Sequence, residues 1–155
     1  MKKKIWEHAD INECIASFNK KSIVLVGGCF DLLHYGHHTF LQHAKAQGDI
    51  LIVALESDKH IKNKKKYQPV HTQQERAEIL AALSYIDAII LLSYIPNDSE
   101  YQKLVEHIHP SIIAISEGDP HKDKKQIQAA RIGAKLKEVV RLIPRFSTRA
   151  IIESL

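Results

Sequence analysis

Cysteine is almost missing from this chain of 155 residues. Two thiols, Cys14 and Cys29, are too few for a disulfide framework, and both read as reduced: Cys14 as helix core, Cys29 as a backbone provider in a loop. Long hydrophobic runs are missing as well, since no stretch approaches the roughly 20 apolar residues that cross a bilayer. The basic start Lys2–Lys3–Lys4 is followed by no apolar segment of the kind that marks an export signal. These absences argue against a secreted or membrane-spanning chain and lead us to expect a cytoplasmic one. No internal repeat and no low-complexity linker is visible outside the lysine run at 62–66. The excess of one sign of charge is small, +4, which suits polyanionic small substrates without requiring them. What is present in quantity is apolar: 45% of the residues, enough for one core, so residues 1–155 read as a single domain.

Apolar runs alternate with helical periodicity. Strands are expected at 23–26, 50–55, 88–92, 112–115 and 139–143. Helices are expected around Ile11, Ile15 and Phe18, then over 37–47, from Thr72 onward, from Asn97 to Pro110, over 124–134, and after Ser147. Thr72 and Glu75 have the spacing of a capping box. Strands and helices in alternation imply an α/β fold whose parallel sheet is covered on both faces, with ligands outside the carboxyl ends of the strands.

Only six glycines occur, yet Gly27, Gly28 and Gly36 crowd into the segment that follows the strand at 23–26 and opens the next helix. Glycine lets the backbone turn tightly and approach a ligand, and free N–H groups at a helix start attract anions. His34 and His37 lie three residues apart and so face one side. The segment reads as a phosphate cradle.

The run Gly28-x-Phe30-Asp31-x-x-His34-x-Gly36-His37, with Ser147-Thr148-x-x-Ile151 near the end, resembles the signature of the cytidylyltransferase-like nucleotidyltransferases. Such enzymes join a nucleoside triphosphate to a phosphorylated acceptor and release pyrophosphate. The resemblance implies a Rossmann-like sheet of five parallel strands, with strand order reversing between the strands at 23–26 and 112–115. It implies catalytic His34, His37, Lys62 and Lys64, nucleotide contacts at Gly28, Cys29, Phe30, Gly36, Gly118, Asp119, Ser147 and Thr148, and no protein-held metal cluster. Mg²⁺ carried mainly on phosphate oxygens is the implied cofactor, and a homodimer the implied assembly, with no nucleic acid or membrane partner.

Other readings stand beside these. The lysines of 62–66 fit a solvated loop as well as a charge clamp, and which of them would act is open. Asp31 is expected to order its loop by accepting backbone N–H groups. Arg76 divides between a structural ion pair and a phosphate contact, and Ser147 and Thr148 are ordinary N-cap residues. Residues 69–87 and 147–152 are similar to adenylyltransferases that activate heptose 1-phosphate for lipopolysaccharide synthesis. Leu32-Leu33 and the lysine run are similar to glycerol-3-phosphate cytidylyltransferases, and FAD synthetases share the core. From other classes, a non-catalytic nucleotide-binding regulator remains open, and a zinc site at Cys29, His34, His37 or His38 is disfavoured by ligand spacing.

Overall fold

The computed structural model describes residues 2–142, 145 and 147–155. Six strands, β1 (Ile5–Glu7), β2 (Ile23–Gly28), β3 (Ile50–Leu55), β4 (Ala88–Leu91), β5 (Ile112–Ser116) and β6 (Lys135–Val140), form one parallel sheet in the order β1-β4-β3-β2-β5-β6. The expected five strands are therefore corrected to six. β1 was missed because three residues show no alternation; its strand geometry comes from pairing Ile5, Trp6 and Glu7 with Ile89, Ile90 and Leu91.

Successive residues of a strand point to opposite faces. Leu25, Ile52, Ile90 and Ile113 enter one core, while Val24, Val26, Leu51, Val53 and Ile89 enter the other. Strands buried on both faces explain the unbroken apolar runs at β3 and β4. β6 differs: Lys135 and Glu138 are exposed and none of its residues is fully buried, as befits an edge strand. It starts four residues before the expected 139–143, and Ile143 lies outside the described residues.

The helices are α1 (Ile11–Ala16), α2 (Tyr35–Lys45), α3 (Asp58–His60), α4 (Gln73–Ala81), α5 (Asp98–Ile108), α6 (Lys122–Arg131) and α7 (Thr148–Ser154). The Thr72 capping box forms, with Thr72 Oγ1 accepting from the Glu75 N–H at 3.2 Å and Glu75 Oε2 from the Thr72 N–H at 2.9 Å. Asn97 caps α5, and His109 in the left-handed conformation (φ 50°) ends it before Pro110. No helix among the described residues is long and apolar enough to cross a membrane.

The lysine run is not the anchorless loop the sequence suggests. α3 continues into a π-type turn, Ile61–Lys65, and Ile61 is fully buried beneath it while Lys62, Lys64, Lys65 and Lys66 stay exposed. Lys66 closes the turn in the left-handed conformation (φ 64°).

β2 lies between β3 and β5, so the chain leaves β2 toward β3 and β4 and later returns to its other side. The reversal of strand order falls where the resemblance put it, and in open α/β sheets the crevice that takes ligands lies outside the carboxyl ends of the strands at such a point, here beyond β2.

Candidate active site

The loop after β2 is tightly wound. Phe30 and Leu32 hold left-handed backbone (φ 48° and 49°), a conformation that costs a side chain roughly 1 kcal/mol or more and concentrates at functional sites. Gly28 makes the turn feasible, because a Cβ there would meet the Phe30 ring at 2.9 Å. Phe30 in turn packs edge-on against His37, with ring centroids 5.2 Å apart. Asp31, 1% exposed, orders the loop as anticipated: its two carboxylate oxygens accept from the Val70 N–H (2.7 Å) and the His71 N–H (3.0 Å).

The two histidines form the N-terminal cap of α2. His34 Nδ1 accepts from the N–H groups of Gly36 (3.1 Å) and His37 (3.4 Å), and His37 Nδ1 accepts from the His34 N–H (3.4 Å). Their rings stack with centroids 3.8 Å apart. This changes the expected anion chemistry. The Gly36 and His37 amides are already engaged by His34 and do not point at a ligand. With both Nδ1 atoms assigned as acceptors, each neutral ring carries its proton on Nε2, which becomes the donor. Burial, then the neighbouring His34, drives the His37 pKa down to about 3, and burial lowers that of His34. In the unliganded chain both are neutral donors, not cations.

Arg76 is 1% exposed and is spent on structure. Its guanidinium donates to the Cys29 carbonyl (2.6 Å), the Glu56 carbonyl (3.0 Å) and the Asp58 carboxylate (2.7 Å), and its Nε to the His71 carbonyl (3.2 Å). It clasps the ends of β2 and β3 to α3 and α4, too deeply enclosed to touch a phosphate. Cys29 contributes its carbonyl to this clasp, and burial pushes its thiol up to about 11.

Two further segments border the loop after β2 and the end of β5. The Thr148 hydroxyl donates to the Asp31 carbonyl, which seats the start of α7 against the β2 loop, and Ser147 Oγ accepts from the Ala150 N–H at 3.0 Å as an N-cap. After β5, Gly118 takes φ 78°, and a Cβ there would approach Leu142 at 4.0 Å. Asp119 holds Lys125 at 2.7 Å and accepts from the His121 N–H at 2.7 Å; burial works against its charge, but Lys125 and that N–H keep its pKa low.

Among the lysines, Lys65 was not singled out by the sequence. Its charge acts on the Cys29 thiol, the Glu56 carboxyl and the His60 and His121 rings, which lie at the ends of β2, β3 and β5. Lys64 acts on His60, and Lys62 stands on the exposed side of the π turn. Glu56 was missed too: a buried carboxyl whose ionisation burial opposes, it accepts from the Tyr101 hydroxyl at 2.5 Å. The only signal in the sequence was an acidic residue directly after an apolar strand.

The cytidylyltransferase-like family model matches residues 25–153. The bifunctional protein HldE of Helicobacter pylori J99 is 38% identical over 141 residues, 88% of this chain and 28% of that protein. The FAD synthase of Thermococcus onnurineus is 44% identical over 96 residues, 62% of each chain. The crystal structure of a lipopolysaccharide core biosynthesis protein from Thermoplasma volcanium superposes with a TM-score of 0.64 at 25% identity, covering 79% of this chain and 97% of that one. The chain thus spans little more than a quarter of the HldE relatives' length. With the matched region running from β2 through α7 and containing every segment that lines the crevice, the chain belongs to the cytidylyltransferase-like family of nucleotidyltransferases.

Proposed function

We propose that this nucleotidyltransferase joins ATP to a sugar 1-phosphate of the heptose type, releasing pyrophosphate and forming an ADP-sugar. The observation that carries the transfer chemistry is the stacked His34–His37 pair at the start of α2, whose Nδ1 atoms accept backbone N–H groups and whose protons therefore sit on Nε2. The acceptor already brings its nucleophile. One of its phosphate oxygens attacks the α-phosphorus, the new P–O bond forms, and the bond to the bridging α–β oxygen breaks with its electron pair leaving on pyrophosphate.

The protein has to align the reactants and stabilise charge on the equatorial and leaving oxygens. His34 and His37 donate to those oxygens. Lys62, Lys64 and above all Lys65 supply cationic charge from the opposite wall. Backbone around Gly28, Cys29, Phe30 and Gly36 makes room for the phosphates, and Gly118, Asp119 and the Ser147–Thr148 turn border the nucleoside. Mg²⁺ fits as an ion held by phosphate oxygens, since the Asp31, Asp58 and Asp119 carboxylates already have partners. When bound it neutralises phosphate charge.

The ATP and sugar assignment rests on the similarity of residues 69–87 and 147–152 to heptose-activating adenylyltransferases and on the HldE relatives. FMN adenylylation is the second reading, favoured by the FAD synthase match, and cytidylylation of glycerol 3-phosphate is the third.

A pyrophosphate-release screen of ATP and CTP against heptose 1-phosphate, FMN and glycerol 3-phosphate decides among them. We expect the highest kcat/KM for ATP with heptose 1-phosphate. A higher value for another pair overturns the acceptor assignment, and no release with any pair leaves a nucleotide-binding regulator. His37→Ala is expected to lower kcat about a hundredfold or more with the fold intact, as loss of a preorganised donor does. Unchanged kcat in that variant refutes the role given to the pair.

A further inference from the structure

Glu56 leaves β3 beside the motif, its N–H donating to the Gly28 carbonyl at 3.0 Å. The residue is 7% exposed. Oε1 is held by the Tyr101 hydroxyl of α5 at 2.5 Å. Oε2 is buried and has no hydrogen-bond donor among the described residues. The nearest candidate, His60 Nδ1, stands 3.4 Å away without hydrogen-bond geometry and also lies 3.5 Å from the Tyr101 oxygen. Three cations from different elements act on the same carboxyl, Lys125 from α6, Arg76 from α4 and Lys65 from the π turn.

A buried acceptor without a donor is costly, and native proteins keep few of them. An ionised carboxylate can only accept, so the partner it lacks is a donor. A phosphate oxygen does not qualify, and the cations alongside disfavour a divalent metal. A hydroxyl qualifies. Lysine charge around the carboxylate suits a molecule that carries a phosphate next to its hydroxyls.

We propose that Glu56 determines acceptor specificity: Oε2 takes a hydroxyl of the sugar that bears the attacking phosphate, while Tyr101 and His60 act as positioning residues for the carboxylate. The inference rests on the sugar 1-phosphate reading above and adds the group that recognises the sugar.

The test compares heptose 1-phosphate with a set of its deoxy analogues, one hydroxyl removed at a time. Each is titrated into the protein with a non-hydrolysable ATP analogue, in wild type and in Glu56→Gln. The glutamine keeps the volume and the Tyr101 bond but presents an amide N–H where Oε2 stood. Wild type should bind the parent about ten- to a hundredfold more tightly than one particular deoxy analogue, the range for a hydrogen bond to a charged group. In Glu56→Gln that preference should fall to about threefold or less, with affinity for the ATP analogue unchanged.

Equal preference in both proteins overturns the assignment while leaving the sugar reading intact. Failure of heptose 1-phosphate to bind wild type overturns the sugar reading and this assignment with it. Should Glu56→Gln not fold by circular dichroism, Tyr101→Phe replaces it: freeing Oε1 should cut the hydroxyl preference about threefold with nucleotide affinity unchanged, and an undiminished preference refutes the proposal.

Discussion

A histidine can meet a phosphate as a cation or as a neutral donor, and at positions 34 and 37 the folded chain keeps the neutral form. The i, i+3 spacing made the shared direction legible in the sequence. It could not show that the backbone amides of the same helix turn would occupy both Nδ1 atoms, because that depends on the turn's geometry. The consequence is a pH dependence of stability with a definite sign. In the unfolded chain an imidazole takes its proton near pH 6.5, whereas folded His37 resists protonation down to about 3 and His60 to about 4, each chiefly through burial. Between those values the unfolded state binds more protons, so this stability is complete above about pH 6.5 and drains away as pH falls. His37 alone contributes a slope of up to about 1.4 kcal/mol per pH unit in its window. Glu56, pushed up by burial, acts with the opposite sign over its own window. Denaturant midpoints should therefore drop between pH 7 and pH 5, and His37→Gln should flatten that drop. An identical slope in wild type and variant contradicts a buried neutral His37.

Among the elements, the segment from Asp58 to Lys65 departs most from its sequence. Four lysines in five residues read as solvated chain, and their side chains are indeed exposed. Ile61 went unnoticed because one apolar residue has no period, yet it is the anchor that turns the run into helix. The resemblance named Lys62 and Lys64 and left the choice among the lysines open; the π turn inserts a residue that shifts which side chains share a face, and such turns are common at functional sites. A loop free from end to end would exchange its amide hydrogens uniformly. We expect instead that the His60 and Ile61 amides, which donate to Ser57, are protected in the free protein and that the exposed run 62–66 exchanges faster until nucleotide is added, when it slows. Uniform fast exchange without ligand contradicts the anchor, and no slowing on saturation contradicts the clamp. Ile61→Ala should cost about 2–5 kcal/mol of stability and erase the protected part.

At the scale of the molecule, alternation and apolar runs revealed five of the six strands, because buried parallel strands write themselves as continuous hydrophobic sequence, while the place of the strand-order reversal was legible only through the family resemblance. β1 is legible only through its partner. Ile5, Trp6 and Glu7 pair along β4 at the end of the sheet, and Trp6, 6% exposed, packs into the core that Leu25, Ile52 and Ile90 also enter, with Lys3 Nζ 4.0 Å above its ring. This placement makes β1 part of the cooperative core even though local propensity does not build it. Trp6 is the chain's one tryptophan, so its fluorescence reports on β1 alone. Unfolding curves by fluorescence and by far-ultraviolet circular dichroism should coincide, as they do when one transition carries the whole structure. Trp6→Ala should cost about 3–5 kcal/mol, the range for deleting a large buried aromatic. A fluorescence transition that precedes the dichroism change, together with a small cost for Trp6→Ala, would mean that the sheet closes at β4 and that β1 only rests on its edge.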